Sequence, residues 1–144
     1  MPKISLKKNG DASVILNSIK RKIQGNKKVK IGFPEGSNNL DIAVYNEFGT
    51  KNMPARPFVR TAFQSYKNDL SQSIKNEAKS IMDGSNTMDR SLNRLGNKGV
   101  GLIQKNMTDI KTPPNAQSTI DQKGSSNPLI DTGQTRSSVT YKVE

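Results

Sequence analysis

The sequence predicts an α+β domain: a small antiparallel sheet packed with one long helix and shorter helices, connected by long polar loops. Three observations carry that expectation. Apolar residues recur every three or four positions through most of the chain, which is helical spacing. Two short stretches, 28–34 and 139–143, alternate instead with period two, so strands stand near opposite ends of the chain. The 144 residues are the length of one ordinary domain, and no internal repeat divides them.

The elements follow in order. Asp11 is a good N-cap, and Ala12, Ile15, Leu16, Ile19 and Ile23 follow it at helical spacing until Gly25. In Lys28–Pro34, Val29, Ile31 and Phe33 point one way and Lys30 and Gly32 the other, a half-buried strand. Pro34–Asn39 is rich in turn residues. In Leu40–Gly49, Leu40, Ala43, Val44 and Phe48 fit a helix ended by Gly49, whereas Ile42 and Val44 alone fit a strand; the helix is the expectation. Thr50–Arg56 is a loop. Pro57 suits the first turn of a helix, where its missing N–H costs nothing. From Phe58 to Ile81 the apolar spacing holds over 24 residues, which predicts the long helix, ended by Gly84.

A further stripe runs through Met88, Leu92, Leu95, Val100, Ile103, Met107 and Ile110. Gly96, Gly99 and Gly101 interrupt it. A mid-helix glycine costs about 1 kcal/mol against alanine, so a bend or break is expected there. Segment 112–127 carries Pro-Pro and Gly-Ser-Ser and reads as a long loop. Asp131 or Thr132 caps a short helix running through Ser138, and Val139, Tyr141 and Val143 close the chain as a strand.

Composition weighs against an enzyme. The chain has no Cys and no His. That excludes disulfides, thiol nucleophiles, Cys-ligated zinc and imidazole proton shuttles. The carboxylates Asp41 and Glu47, Asp83 and Asp89, and Asp121 and Asp131 are scattered and form no clustered acid–base or metal motif. Gly96–Gly101 resembles a phosphate loop only superficially, because no strand precedes it and no Lys-Ser/Thr follows. No catalytic residue, cofactor or metal is expected. No run of 18 apolar residues exists, so no membrane partner is expected. The N-terminus lacks the apolar core of a signal peptide, which points to assembly inside a cell.

Charge is uneven. The formal charge is +11, and residues 1–30 hold nine cations against Asp11 alone. Lys20, Arg21, Lys22, Lys27 and Lys28 make a basic surface there. No aromatic residue precedes Phe33, so this segment can attract phosphates but cannot stack on or read bases. A basic nucleic-acid-binding or architectural module is one function consistent with this pattern. Apolar content is low, 31% of residues, so loops that order only against partners are expected.

Two stretches stand apart. The first contains Glu47-Phe48-Gly49-Thr50 and then Pro54-Ala55-Arg56-Pro57-Phe58-Val59-Arg60. Its two prolines stiffen the backbone and project Arg56 in a defined way. On this reading Arg56→Ala leaves folding nearly intact and impairs assembly. The second contains Lys123-Gly124 and then Pro128-Leu-Ile-Asp-Thr-Gly133, with an exposed Arg136 ahead of Ser138–Val139 and Tyr141. In this order and spacing, over about residues 28–144, the set resembles the neck proteins of tailed bacteriophages, the tail-completion, head–tail joining or virion-morphogenesis family. Leucine is common in that family where Thr135 stands, and residues 1–27 lie outside the resemblance.

The resemblance implies a ring-forming structural subunit, six- or twelve-fold, with a long helix packed on the sheet. The ring would sit in the virion neck after assembly in the host cytoplasm. Its implied partners are the portal or head-completion proteins on one side and a tail terminator or tail tube on the other. Non-specific DNA contact in the lumen is a further implication. Interface candidates are Glu47, Phe48, Gly49, Arg56, Pro57, Phe58, Arg60, Asp131, Thr132, Gly133 and Arg136.

Overall fold

A computed structural model describes residues 12–124, 126–129 and 133–144. Seven helices and two strands follow one another among them: α1 (Ala12–Ile23), β1 (Val29–Gly32), α2 (Leu40–Phe48), α3 (Phe58–Ser65), α4 (Lys67–Met82), α5 (Met88–Asp109), α6 (Gln117–Lys123), α7 (Gln134–Ser137) and β2 (Thr140–Val143). The α+β expectation holds at this level: the chain is mostly helical, with one small antiparallel sheet.

The two strands pair in the register Val29–Val143, Lys30–Lys142, Ile31–Tyr141 and Gly32–Thr140. Backbone hydrogen bonds between Lys28 and Glu144, at 2.6 and 2.8 Å, extend the ladder by one pair. The register sets Lys30 directly opposite Lys142, a repulsive cross-strand pair. Glu144 answers it: its carboxylate lies 2.7 Å from Lys30 Nζ and 3.1 Å from Lys142 Nζ. The hydrogen bond from Lys30, followed by that from Lys142, holds the Glu144 carboxyl below its ordinary range.

The sheet lies on α5, which is 22 residues long and continuous. The three glycines do not break it. Two of them instead let the sheet approach. A Cβ on Gly96 would stand 2.2 Å from Tyr141 Cδ2, and one on Gly99 would stand 2.2 Å from Ile31 Cδ1. Gly101 faces open space. Tyr141 and Ile31 are a register pair, so both strands press into this notch. Tyr141 Oη donates to Asn93 Oδ1 at 2.9 Å one turn away.

The expected long helix 58–81 is two helices. Tyr66 joins them with φ −105° and ψ 19°, outside helical values. Both α3 and α4 pack on α5, and the bend at Tyr66 lets each half keep that contact. Tyr66 is held at the bend by the C-terminal end of α5: Lys105 Nζ lies 2.7 Å from both Tyr66 Oη and Asp109 Oδ2. The hydrogen bond from Lys105 holds the Asp109 carboxyl below its ordinary range. The helix that packs on the sheet is therefore α5, not the one starting at Phe58.

Two smaller expectations also change. Pro57 is the N-cap residue of α3 rather than its first helical residue. Segment 112–127 is not all loop, because Gln117–Lys123 forms α6, stopped by Gly124 at φ 67°. The proposed caps Asp11, Asp131 and Thr132 lie outside the described residues, and α7 starts after Gly133. The core joins Ala43 of α2, Phe58 and Ala62 of α3, Ile103 and Met107 of α5, Leu129 and Val139. Phe33 meets the buried Phe58 ring edge to face, with centroids 6.0 Å apart.

The glycine notch gives a paired test. Gly96→Ala should destabilise by about 1–3 kcal/mol, because the overlap with the Tyr141 ring outweighs the helix-propensity gain. Gly101→Ala should stabilise by up to about 1 kcal/mol, because its new methyl meets nothing. Urea denaturation of both variants measures the difference.

Candidate functional site

The first stretch singled out in the sequence folds into one corner. Gly49 ends α2 with φ 75°, and a Cβ there would lie 2.8 Å from Ala55 N and 2.9 Å from Met53 O. Only glycine fits both the dihedral and the space. The chain then turns tightly, with Thr50 and Met53 exchanging backbone hydrogen bonds at 2.9 and 3.3 Å. It returns past α2, where Arg56 N–H donates to Asn46 O at 2.6 Å.

Glu47 does the capping that Pro57 cannot. Its carboxylate accepts the Val59 N–H at 2.8 Å and the Arg60 N–H at 3.1 Å. These are unsatisfied donors of the first turn of α3, and an anion suits the positive end of a helix. Arg60 Nε stands 3.8 Å from the same carboxylate. Glu47 is therefore buried as a structural cap supplied from the preceding helix. Asn106 of α5 pins the same turn from beneath, donating to Phe58 O at 2.7 Å and to Thr61 Oγ1 at 2.8 Å.

Arg56 corrects an expectation. It is 4% exposed and points inward. Nε donates to Pro113 O at 2.8 Å and Nη2 to Pro114 O at 3.1 Å. Burial lowers its pKa from the ordinary value. Arg56 thus ties the loop before α3 to the chain leaving α5, and its side chain is held within the fold rather than projected from it.

The second stretch docks on the C-terminal half of α5. Asn127 Nδ2 donates to Thr108 O at 2.9 Å, and its Oδ1 accepts the Leu129 N–H at 3.0 Å. Lys123 Nζ reaches Asn127 O at 3.2 Å. Arg136 is exposed as expected, with Nη1 on Thr108 Oγ1 at 3.2 Å. Gln104 Nε2 donates to Arg136 O at 3.1 Å. Asn39, just before α2, donates to Ser138 Oγ at 2.7 Å. The two stretches meet across a cleft of about 380 Å³ lined by Asn46, Arg56, Lys123, Leu129 and Gly133.

The site candidates divide by exposure. Glu47, Gly49, Arg56, Pro57 and Phe58 build the corner, and Phe58 is 1% exposed. Arg60, Arg136 and Phe48 reach the surface, and Phe48 is 70% exposed. The sequence reading missed Asn106 and the carbonyls of Pro113 and Pro114. One signal for Asn106 existed: a polar residue between Ile103 and Met107 in an apolar stripe. The reading also missed the exposed apolar surface of α2, where Ile42, Val44 and Tyr45 accompany Phe48.

On the basic surface, Lys20, Arg21, Lys22, Lys27 and Lys28 are all exposed. Lys27 pairs with Asp89 at the start of α5, and Lys28 belongs to the strand ladder through its backbone. Among the described residues no three Asp or Glu side chains gather to hold a metal ion. No described helix is long and apolar enough to cross a membrane. Comparisons with protein-family models, with curated proteins and with solved structures found no match.

The corner makes stability predictions opposite to a surface role for Arg56. Arg56→Ala should cost about 2–3 kcal/mol, since two charge-assisted hydrogen bonds go and two carbonyls lose their donor. Glu47→Ala should cost about 1–2 kcal/mol through the lost cap. Phe58→Ala should cost about 3 kcal/mol or more through the cavity it leaves. Chemical denaturation of the three variants reads all of these. An Arg56→Ala variant as stable as wild type would return Arg56 to the surface.

Proposed function

We propose that this chain is a structural subunit of the neck of a tailed-phage virion, without catalytic function, forming a ring that joins head to tail. In this reading one rim of the ring meets the portal or head-completion proteins. The other meets the tail terminator or tail tube.

One observation carries the reading beyond the motifs themselves. The two stretches that bear the resemblance are 60 or more residues apart in the chain. They meet across one cleft, lined by Asn46 and Arg56 on one side and by Lys123, Leu129 and Gly133 on the other. The members of the motif set thus build one unit, this corner. It forms the base beneath the exposed apolar side chains of α2, whose Phe48 is the large apolar motif residue left outside. A subunit whose work is assembly needs that combination: a fixed scaffold and apolar surface left for neighbours.

The surface suits mechanical assembly better than sequence reading of DNA. The basic segment has cations and no aromatic side chain to stack on bases. Contact with DNA in a lumen would then be sequence-independent and screened over about 8 Å at physiological salt.

Deletion of the gene from a phage that carries it should leave DNA-filled heads and separate tails, counted by electron microscopy. Added purified chain should restore joined, infectious particles. Intact and infectious particles from the deletion would overturn the reading.

A further inference from the structure

Two apolar helix faces on this chain remain uncovered. On α1, Ile15, Leu16 and Ile23 stay exposed although the helix leans on α4, and Leu16 is 64% exposed. On α2, Val44, Tyr45 and Phe48 stay exposed. Beside them Phe33, Leu40 and Val59 line an apolar groove of about 260 Å³.

The two faces differ in charge. The last turn of α1 carries Lys20, Arg21 and Lys22, and the described helix holds no carboxylate. α2 carries Asp41 in its first turn and no cation, and Glu35 stands in the turn before it. Among the described residues, Glu35 and Asp41 are the carboxylates that enter no ion pair or hydrogen bond. Lys20 and Arg21 likewise enter none. A self-contact of either face would bring like charges together. A contact of one with the other brings apolar surface to apolar surface and cations to free carboxylates.

Resting on the ring reading above, we infer that α1 of one copy docks along α2 and its groove on the next copy. Leu16 and Ile23 meet Val44 and Phe48, and Lys20, which shares the Leu16–Ile23 face of α1, comes to Asp41 and Glu35. The nine residues of α2 span about 13.5 Å, and the stretch of α1 from Leu16 to Ile23 spans about 10 Å, so the contact fits within α2. The contact is heterologous. Each copy spends both faces, once as donor of α1 and once as acceptor, so the same contact repeats until the ring closes.

The natural chain has no cysteine, which allows a clean disulfide test on the full-length protein. Leu16→Cys and Phe48→Cys each sit on the surface, and thermal unfolding checks that each folds as wild type. Under mild oxidation the mixture of the two should give cross-linked dimers, and neither variant alone should. The chain carrying both cysteines should give a ladder that stops at the ring number. In a separate series, Lys20→Glu should abolish the assembled species in light scattering, and adding Asp41→Lys to the same chain should restore it. Self-cross-linking of Phe48→Cys alone would overturn the inference in favour of a two-fold contact. Wild-type-sized assemblies with no mixed disulfide would overturn this interface and leave the ring standing. A chain that stays monomeric at every concentration would overturn both.

Discussion

The close approach of the sheet to α5 is the contact on which the rest of the chain is arranged. A two-stranded sheet is marginal by itself and needs a surface to lie on. Gly96 and Gly99 provide it by removing the two side chains that would hold the strands away. Ile31 and Tyr141 fill the space, and they are cross-strand partners, so one notch sets both the register and the seating of the sheet. Because β1 lies near the start of the described chain and β2 at its end, this contact also closes the domain. The helical cost of two glycines, about 1 kcal/mol each, is set against the packing of an aromatic and a branched side chain.

On another side of α5 the polar corner works by different physics. The chain from α2 to α3 must turn sharply, and two prolines remove backbone donors there. The first turn of α3 then lacks an N-cap side chain. Glu47 reaches across from α2 to supply the acceptor, and Asn106 reaches up from α5. Arg56 adds a long-range tie to the segment after α5. These residues look functional in the sequence because they are polar, closely spaced and flanked by prolines. Their buried positions make them scaffolding, and whatever they do for assembly they do by holding α2 and α3 in place.

The low apolar content has its counterpart in the surface. The core is small: among the described residues its central cluster holds seven buried apolar side chains. Several of the remaining large apolar side chains lie outside, on α1 and α2. A chain with little apolar material that still leaves Leu16 and Phe48 largely in water gives up folding free energy at those positions. Neighbouring copies that cover these residues would recover it on assembly.

By itself the sequence determined the α+β class, the positions of both strands, the helices 12–23 and 40–48, the α-helical stripe of 88–110 and the concentration of positive charge near the start. These follow from period and composition, which are local. It also marked the two stretches that the fold joins. Only the tertiary structure decided four further matters. It broke the helix of 58–81 at Tyr66, since both halves must rest on α5. It kept α5 unbroken through its glycines, since the missing side chains of Gly96 and Gly99 make room for the sheet. It placed helix α6 inside a polar segment that has no apolar stripe to announce it. And it turned Arg56 inward, because carbonyls 57 and 58 residues away, at Pro113 and Pro114, were waiting for a buried donor that no local pattern can reveal.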